Sequence, residues 1–426
     1  MELPLKKTQT LIGSRISNII SNIYLRKPKG QWGKVQVQSS EFVVLSLIAL
    51  VFFLLLPTAY AVTDPLSTAN NRFGIHIISA VPQEASEAAE MVNSSGGDWG
   101  YITFLIESKD RDPYKWQTFF DDLRRRHLIP IVRLATKPVS GGFWEVPQKQ
   151  EYEAWADFLD RLNWPIKNRF VTIYNEPNHS QEWGNFVDPK SYAKVLDKTI
   201  TALKNKNQDF FVLNAGFDAS TPHEPPSYYD QERFMVEMNQ AIPGIFNKLD
   251  GWVSHSYPNP GFIGLPQDIG RGTVRTYLWE LQLLKTLGVT KELPIFITET
   301  GWRHSAGIQK RSSLPTPETV SQYYQQAFDI AWNDPRIVAV TPFLLNYQQP
   351  PFDHFSFKMF NSHNYHPQYL VLKDMPKVMG QPVLDLPPIT VELTPVELKP
   401  EILGESASLK IVGFWPIDKL LSLLYK

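Results

Sequence analysis

Two short stretches hold the residues whose types and spacing could do chemistry. The first is Phe170-Val171-Thr172-Ile173-Tyr174-Asn175-Glu176-Pro177-Asn178, an apolar, β-branched run that ends abruptly in Asn-Glu-Pro-Asn. Proline stops a strand, so Glu176 belongs on the C-terminal lip rather than in the middle. The second, Pro294-Ile295-Phe296-Ile297-Thr298-Glu299-Thr300-Gly301-Trp302, repeats the build: a core strand, a glutamate, a turn glycine and an aromatic. Two carboxyl groups on the rims of core strands suit acid/base and nucleophilic work on a glycosidic bond. A pair about 5 Å apart predicts hydrolysis with retention, and a gap of roughly 6.5–9.5 Å leaves room for water and predicts inversion.

The elements that must position such a pair are readable from residue 72 onward. Strand-like stretches fall at 73–78, 99–106, 129–134, 170–174, 210–215, 251–256, 294–298 and 337–345. Amphipathic helices separate them, several with explicit starts. Asp112-Pro113, Asp188-Pro189 and Thr316-Pro317 each place a capping side chain before a proline at the first helical position. Eight strands alternating with helices predict an α/β fold of the (β/α)8 TIM-barrel type over 72–375. A doubly wound open sheet is the rival, but no Gly-x-Gly-x-x-Gly follows the first strand and no phosphate loop occurs. In a barrel the C-terminal strand ends share one rim. Glu176 then closes strand four and Glu299 strand seven, which face each other across the mouth.

Paired with these strand positions, Asn175-Glu176-Pro177 and Glu299-Thr300-Gly301-Trp302 resemble the pattern of glycoside hydrolase clan A. The resemblance implies a retaining glycosidase acting on O-glycosidic, β-linked bonds, with Glu176 as general acid/base and Glu299 as nucleophile. It also implies that Asn175 binds the sugar 2-hydroxyl and that Tyr257, in Ser254-His255-Ser256-Tyr257-Pro258, touches the nucleophile. Many members carry a tryptophan at the end of strand eight. Here Thr341-Pro342-Phe343-Leu344-Leu345-Asn346-Tyr347 offers Phe343 or Tyr347 for that stacking role.

Other candidates follow from residue type. Arg133 lies on the otherwise apolar strand Ile131-Val132-Arg133-Leu134; a buried arginine must be paired, and Glu299 is the natural partner. His76 and His255 are either core histidines or substrate contacts. Trp302, Trp183 and Trp144 are either sugar platforms or core aromatics, with Trp302 favoured as a platform.

Composition narrows the alternatives. In 426 residues, 42 basic side chains balance 43 acidic ones, leaving no field for nucleic acid. There is no cysteine, which excludes disulfides, thiolate metal sites and cysteine nucleophiles. The nine histidines show neither His-x-His nor His-Glu-x-x-His spacing, and no Gly-x-Ser-x-Gly elbow is present, so no cofactor or metal is expected. The partner expected is an oligo- or polysaccharide. A non-catalytic polysaccharide-binding or scaffold barrel, and a transglycosylase using the same pair, stay open.

The flanks point to a membrane. Residues 1–41 are basic, with Ile12, Ile16, Ile19, Ile20 and Ile23 at helical spacing, fitting either a surface-lying helix or an unstructured cytoplasmic tail. Phe42 to Ala61 is uncharged and long enough to span a bilayer as a single helix, a signal-anchor with the N-terminus inside. Ala59-Tyr60-Ala61 also fits a cleavage site. Either way the barrel is expected outside the cytoplasm, at the cell membrane or secreted. Residues 62–71 read as a linker, and 376–426 as a proline-rich extension ending in an amphipathic tail.

Overall fold

The computed structural model describes residues 62–385, together with the backbone of one short antiparallel strand pair, Tyr24–Arg26 with Trp32–Lys34. The expected membrane span at 42–61, most of the basic tail and the extension beyond 385 lie outside the described residues. Among the described residues no helix is long and apolar enough to cross a membrane.

The chain alternates strand and helix. The strands are β1 (Gly74–His76), β2 (Gly100–Glu107), β3 (Leu128–Ala135), β4 (Arg169–Thr172), β5 (Phe210–Leu213), β6 (Trp252–His255), β7 (Ile295–Glu299) and β8 (Ile337–Val340). The helix after each is α1 (Pro82–Val92), α2 (Pro113–Arg125), α3 (Lys149–Asp160), α4 (Pro189–Lys206), α5 (Gln231–Ala241), α6 (Thr276–Thr286), α7 (Pro317–Gln326) and α8 (Pro367–Asp374). All eight strand stretches read from the sequence are strands. The three capped helix starts form as their chemistry requires. The Asp112 carboxylate accepts from the backbone N–H groups of Tyr114 and Lys115, Asp188 from Ser191, and Thr316 from Thr319.

Strands β1 to β5 form one parallel sheet in chain order and β6 to β8 another. Parallel bridges join the two at both seams: Leu213 with Gly251, and Phe73 with Val340. The order of neighbours therefore returns to its start. Period-two side chains divide the core. Tyr101, Ile131, Phe170, Phe211, Val253 and Phe296 pack together inside the strands, while Ile102, Val132, Val171, Val212, Trp252 and Ile295 pack against the helices.

The segment 62–71 is not a free linker. Val62 and Leu66 cover the inner cluster from the N-terminal side of the strands. Thr63 exchanges two hydrogen bonds with the Asn168 side chain (3.2 and 2.7 Å), Asn70 donates to the Val338 carbonyl at 2.7 Å, and the Tyr101 hydroxyl donates to Asn70 at 2.6 Å. Residues 377–385 run beside it, with Gln381 N–H donating to the Ala69 carbonyl at 2.8 Å and Gly380 N–H to Asp98 at 3.0 Å. An open strand floor would expose aromatic surface and unpaired backbone, so the chain segments that precede and follow the strands close it.

Candidate active site

Glu299 is the last residue of β7, and simple alternation along that strand would aim it at the helix layer. The pairing with β6 prevents this. Ser254 pairs with Ile297 but His255 with Glu299, so Thr298 is an extra residue on β7. A bulge of this kind re-aims the next side chain, and Glu299 turns into the mouth. Glu176 arrives differently. Beyond β4 the backbone takes left-handed φ values at Tyr174 (68°) and Glu176 (26°), conformations that non-glycine residues adopt at a cost of about 1–3 kcal/mol each. Glu176 N–H is held by the Gly216 carbonyl at 3.0 Å. Gly216 has a second duty: a Cβ there would lie 2.1 Å from the His255 ring. Only glycine lets that imidazole sit between the two acids.

The two glutamates meet. Glu176, His255 and Glu299 each bring a polar atom to within 4.8 Å of the others. His255 Nδ1 lies 2.7 Å from Glu176 Oε1 and 3.8 Å from Glu299 Oε2. The Tyr257 hydroxyl donates to Glu299 Oε2 at 3.1 Å, and Arg133 Nη1 donates to Oε1 at 3.3 Å. The arginine pairing expected from the sequence is present. His76 Nδ1 stands 3.8 Å from Oε1, and neither of its ring nitrogens has a hydrogen-bond partner among the described residues.

These contacts set the charge states. Burial alone would raise the Glu299 pKa, but the positive charge of His255, His76 and Arg133 and the Tyr257 hydrogen bond outweigh it and hold the group below its ordinary value. Burial pushes His76 down to about 4, so near neutrality it is uncharged and Arg133 is the lasting cation on Glu299. His255 is also penalised by burial, yet the two carboxylates raise it overall. Tyr257 is raised well above its usual value by burial and by the neighbouring carboxylates, so it keeps its proton and donates. The result is an ionised Glu299 gripped from three sides, facing a second carboxyl held by an imidazole.

Around the pair lies a cleft of about 540 Å³. Asn175 and His76 line it, as does Phe343, whose ring meets His76 edge-on at 5.3 Å. Tyr347 and Trp144 also line it. Trp302, expected as the platform, does not. It is 1% exposed, donates from its indole N–H to the Gly264 carbonyl at 2.7 Å, and packs edge-on against Tyr324. The glycine before it, with φ of 138°, turns the chain and sends the indole into the helix layer. Trp183 is likewise buried, against Tyr174 and Tyr192.

Sequence reasoning missed several residues of the cleft. Glu182 lines it, and burial followed by the nearby Glu176 and Glu299 raises its carboxyl to about 7, against the opposing pull of Arg133. His179 contacts Asp218 at 3.0 Å and Thr221 at 2.7 Å. Arg303, Phe262, Phe352 and Phe355 line the side built by the loops after β6, β7 and β8. Glu182 is in the same loop as Glu176, but nothing in the periodicity separates it from other loop acids.

No protein-family model matches the chain, and no curated protein sequence matches it. Solved structures do. A GH5_18 protein from Streptomyces cattleya in complex with GlcNAc aligns with a TM-score of 0.50 at 14% identity, over 72% of this chain and 80% of that one. A glucosidase from Croceicoccus marinus aligns at 0.49 and 11% identity, over 73% and 68%. A glycoside hydrolase family 30 subfamily 8 xylanase from Clostridium acetobutylicum aligns at 0.44 and 12%, over 72% of each chain. At such identities the likeness to the Streptomyces protein shows a shared α/β fold of parallel strands and helices.

Proposed function

We propose that this chain is a retaining glycoside hydrolase that cleaves β-linked O-glycosidic bonds in a glycan outside the cytoplasm, held at the membrane by residues 42–61. The observation that carries the reaction is the separation of the carboxyl groups. Polar atoms of Glu176 and Glu299 lie within 4.8 Å, which fits the spacing of about 5–5.5 Å for retention and leaves no room for the water that inversion needs. Glu299, ionised and fixed by Arg133 and Tyr257, attacks the anomeric carbon. As that bond forms, the glycosidic C–O bond breaks and Glu176 passes its proton to the leaving oxygen. Glu176 then takes a proton from water, the resulting hydroxide attacks the same carbon, and the ester to Glu299 breaks. His255 keeps the Glu176 carboxyl facing the bond throughout.

The full chain in detergent tests this. Hydrolysis of aryl β-glycosides should release a product whose first-formed anomer is β. A 2-deoxy-2-fluoro glycoside should leave a covalent adduct on the peptide containing Glu299. An α first product, or an adduct elsewhere, overturns the assignment. Cell-surface protease access to the barrel in intact cells tests the location.

A further inference from the structure

The cleft contains two arginines in opposite circumstances. Arg133 is committed to Glu299. Arg303 is four residues beyond Glu299 and makes no ion pair and no side-chain hydrogen bond among the described residues; its Nε is buried without a partner. A partly buried guanidinium without a counter-charge is costly, because it has lost water on one side and gained nothing in exchange. Burial, and then the like charge of Arg311, push Arg303 below its ordinary range, and Asp353 only partly offsets them. Asp353 is occupied elsewhere, accepting from Ile308 N–H at 2.7 Å. The backbone of Arg303 is nonetheless held in place. Its backbone N–H donates to the Phe262 carbonyl at 3.1 Å, and Phe262 packs on Tyr257 and Phe355 with ring centroids at 5.0 and 5.3 Å. The tyrosine in that cluster is the one bonded to Glu299. The backbone of Arg303 is thus anchored to the wall of the reaction site, while its side chain lines the cleft with no carboxylate of its own among the described residues.

We infer that Arg303 is a specificity-determining residue that binds an anionic substituent of the glycan, so that the preferred substrate is an acidic polysaccharide carrying carboxylate groups. This inference rests on the reading of the cleft as a glycan site. The forked donor geometry of a guanidinium matches a carboxylate bidentately, which makes a uronic acid the fitting sugar. A sulfate ester presents similar oxygens and is separated by experiment.

Binding is measured by calorimetry on full-length Glu176→Gln protein, which slows turnover while leaving the Arg133–Glu299 pair intact. The probes are cellotetraose, the cellouronic acid tetramer with the same backbone, and 6-sulfated cellotetraose. The carboxylated tetramer should bind about ten- to a hundredfold more tightly than the neutral one, the range for a charge-assisted hydrogen-bond pair. Adding Arg303→Met should collapse that ratio towards one, and Arg303→Lys should restore part of it. Rising salt should weaken the acidic ligand and not the neutral one. The proposal is overturned if the acidic tetramer binds no better than the neutral one, or if Arg303→Met, folded by its melting curve, keeps the ratio. A stronger preference for the sulfated probe overturns the uronic acid assignment. Failure of wild-type protein to hydrolyse any of the three would count against the hydrolase, while the affinity ratio would still decide the arginine.

Discussion

The two ends of the strand ring are built from the same backbone and finished in opposite ways. At the N-terminal floor a set of polar groups is paired across the strands: Asn168 with Thr63, Tyr101 with Asn70, Asn70 with the Val338 carbonyl. At the C-terminal rim, buried polar atoms stand without partners on His76, Arg133, Asn175 and Arg303, and left-handed residues occur at Tyr174 and Glu176. Unpaired polar groups and strained backbone lower stability, so the rim persists because the rest of the fold outweighs it. Such features are not confined to the rim, since Arg169 has an unpaired Nε and Trp99 and His127 are left-handed at the opposite end. What sets the rim apart is that its unpaired groups surround two facing carboxyl groups in one cleft. The floor stabilises the ring and the rim uses it.

The sharpest way to break this comparison is to change the rim and find chemistry intact. Glu299→Gln should lower kcat by on the order of 10⁴-fold, as loss of a nucleophile does, with the melting temperature little changed. Glu176→Gln should cost roughly 10²–10⁴-fold on substrates with poor leaving groups. It should cost far less on a dinitrophenyl glycoside, whose leaving oxygen needs no proton; equal losses on both would remove Glu176 from the acid role. Tyr257→Phe deletes one charge-assisted hydrogen bond and should cost about ten- to a hundredfold in kcat/KM. It carries a pH signature as well. Glu299 is held below its ordinary pKa and must be ionised to attack, so activity is lost as pH falls through that value. Without the Tyr257 donor the pKa rises, and the acidic limb of the profile moves to higher pH.

What the sequence disclosed, and what it withheld, divides along similar lines. The eight strands were legible because local patterns set them, and the helix starts because Asp112, Asp188 and Thr316 act on their own first turns. Glu176 and Glu299 were legible as strand-end acids, and Arg133 as a charge on an apolar strand. The bulge at Thr298 that aims Glu299 was not, because it exists only in the pairing of β7 with β6. Trp302 was misjudged for a related reason: an aromatic after a turn looks the same in sequence whether the turn faces sugar or core. The floor was missed because 62–71 has a tether's composition, and only its contacts with Asn168 and Tyr101 make it structural.

On the floor, the effect should appear in stability alone. Asn168→Ala removes both bonds to Thr63 and should cost about 1–3 kcal/mol of unfolding free energy. Heat or urea titration measures this, and kcat per folded molecule should be unchanged. A drop in kcat would mean that the floor shapes the rim and that the two ends are not independent.

The smallest expected effect tests the boundary within the rim between groups that react and groups that tune. Glu182 titrates at about 7 because burial and the charges of Glu176 and Glu299 oppose its ionisation. Above that pH it adds a negative charge beside the catalytic pair, which draws on Arg133, the partner of Glu299. Glu182→Gln removes this titration. A few-fold change in kcat/KM should appear above pH 7, with the wild-type inflection near 7 gone, while rates at pH 5 stay close to the parent because the wild-type group is already protonated there. The folding side has the opposite dependence. A carboxyl raised from 4.5 to about 7 in the native state favours the fold at pH below its unfolded value and loses that contribution as pH climbs through 7. The variant should therefore show a flatter melting temperature between pH 5 and 8. If its rate and stability profiles overlay those of the parent, Glu182 is a bystander, and the tuning of the pair lies in His255, Tyr257 and Arg133 alone.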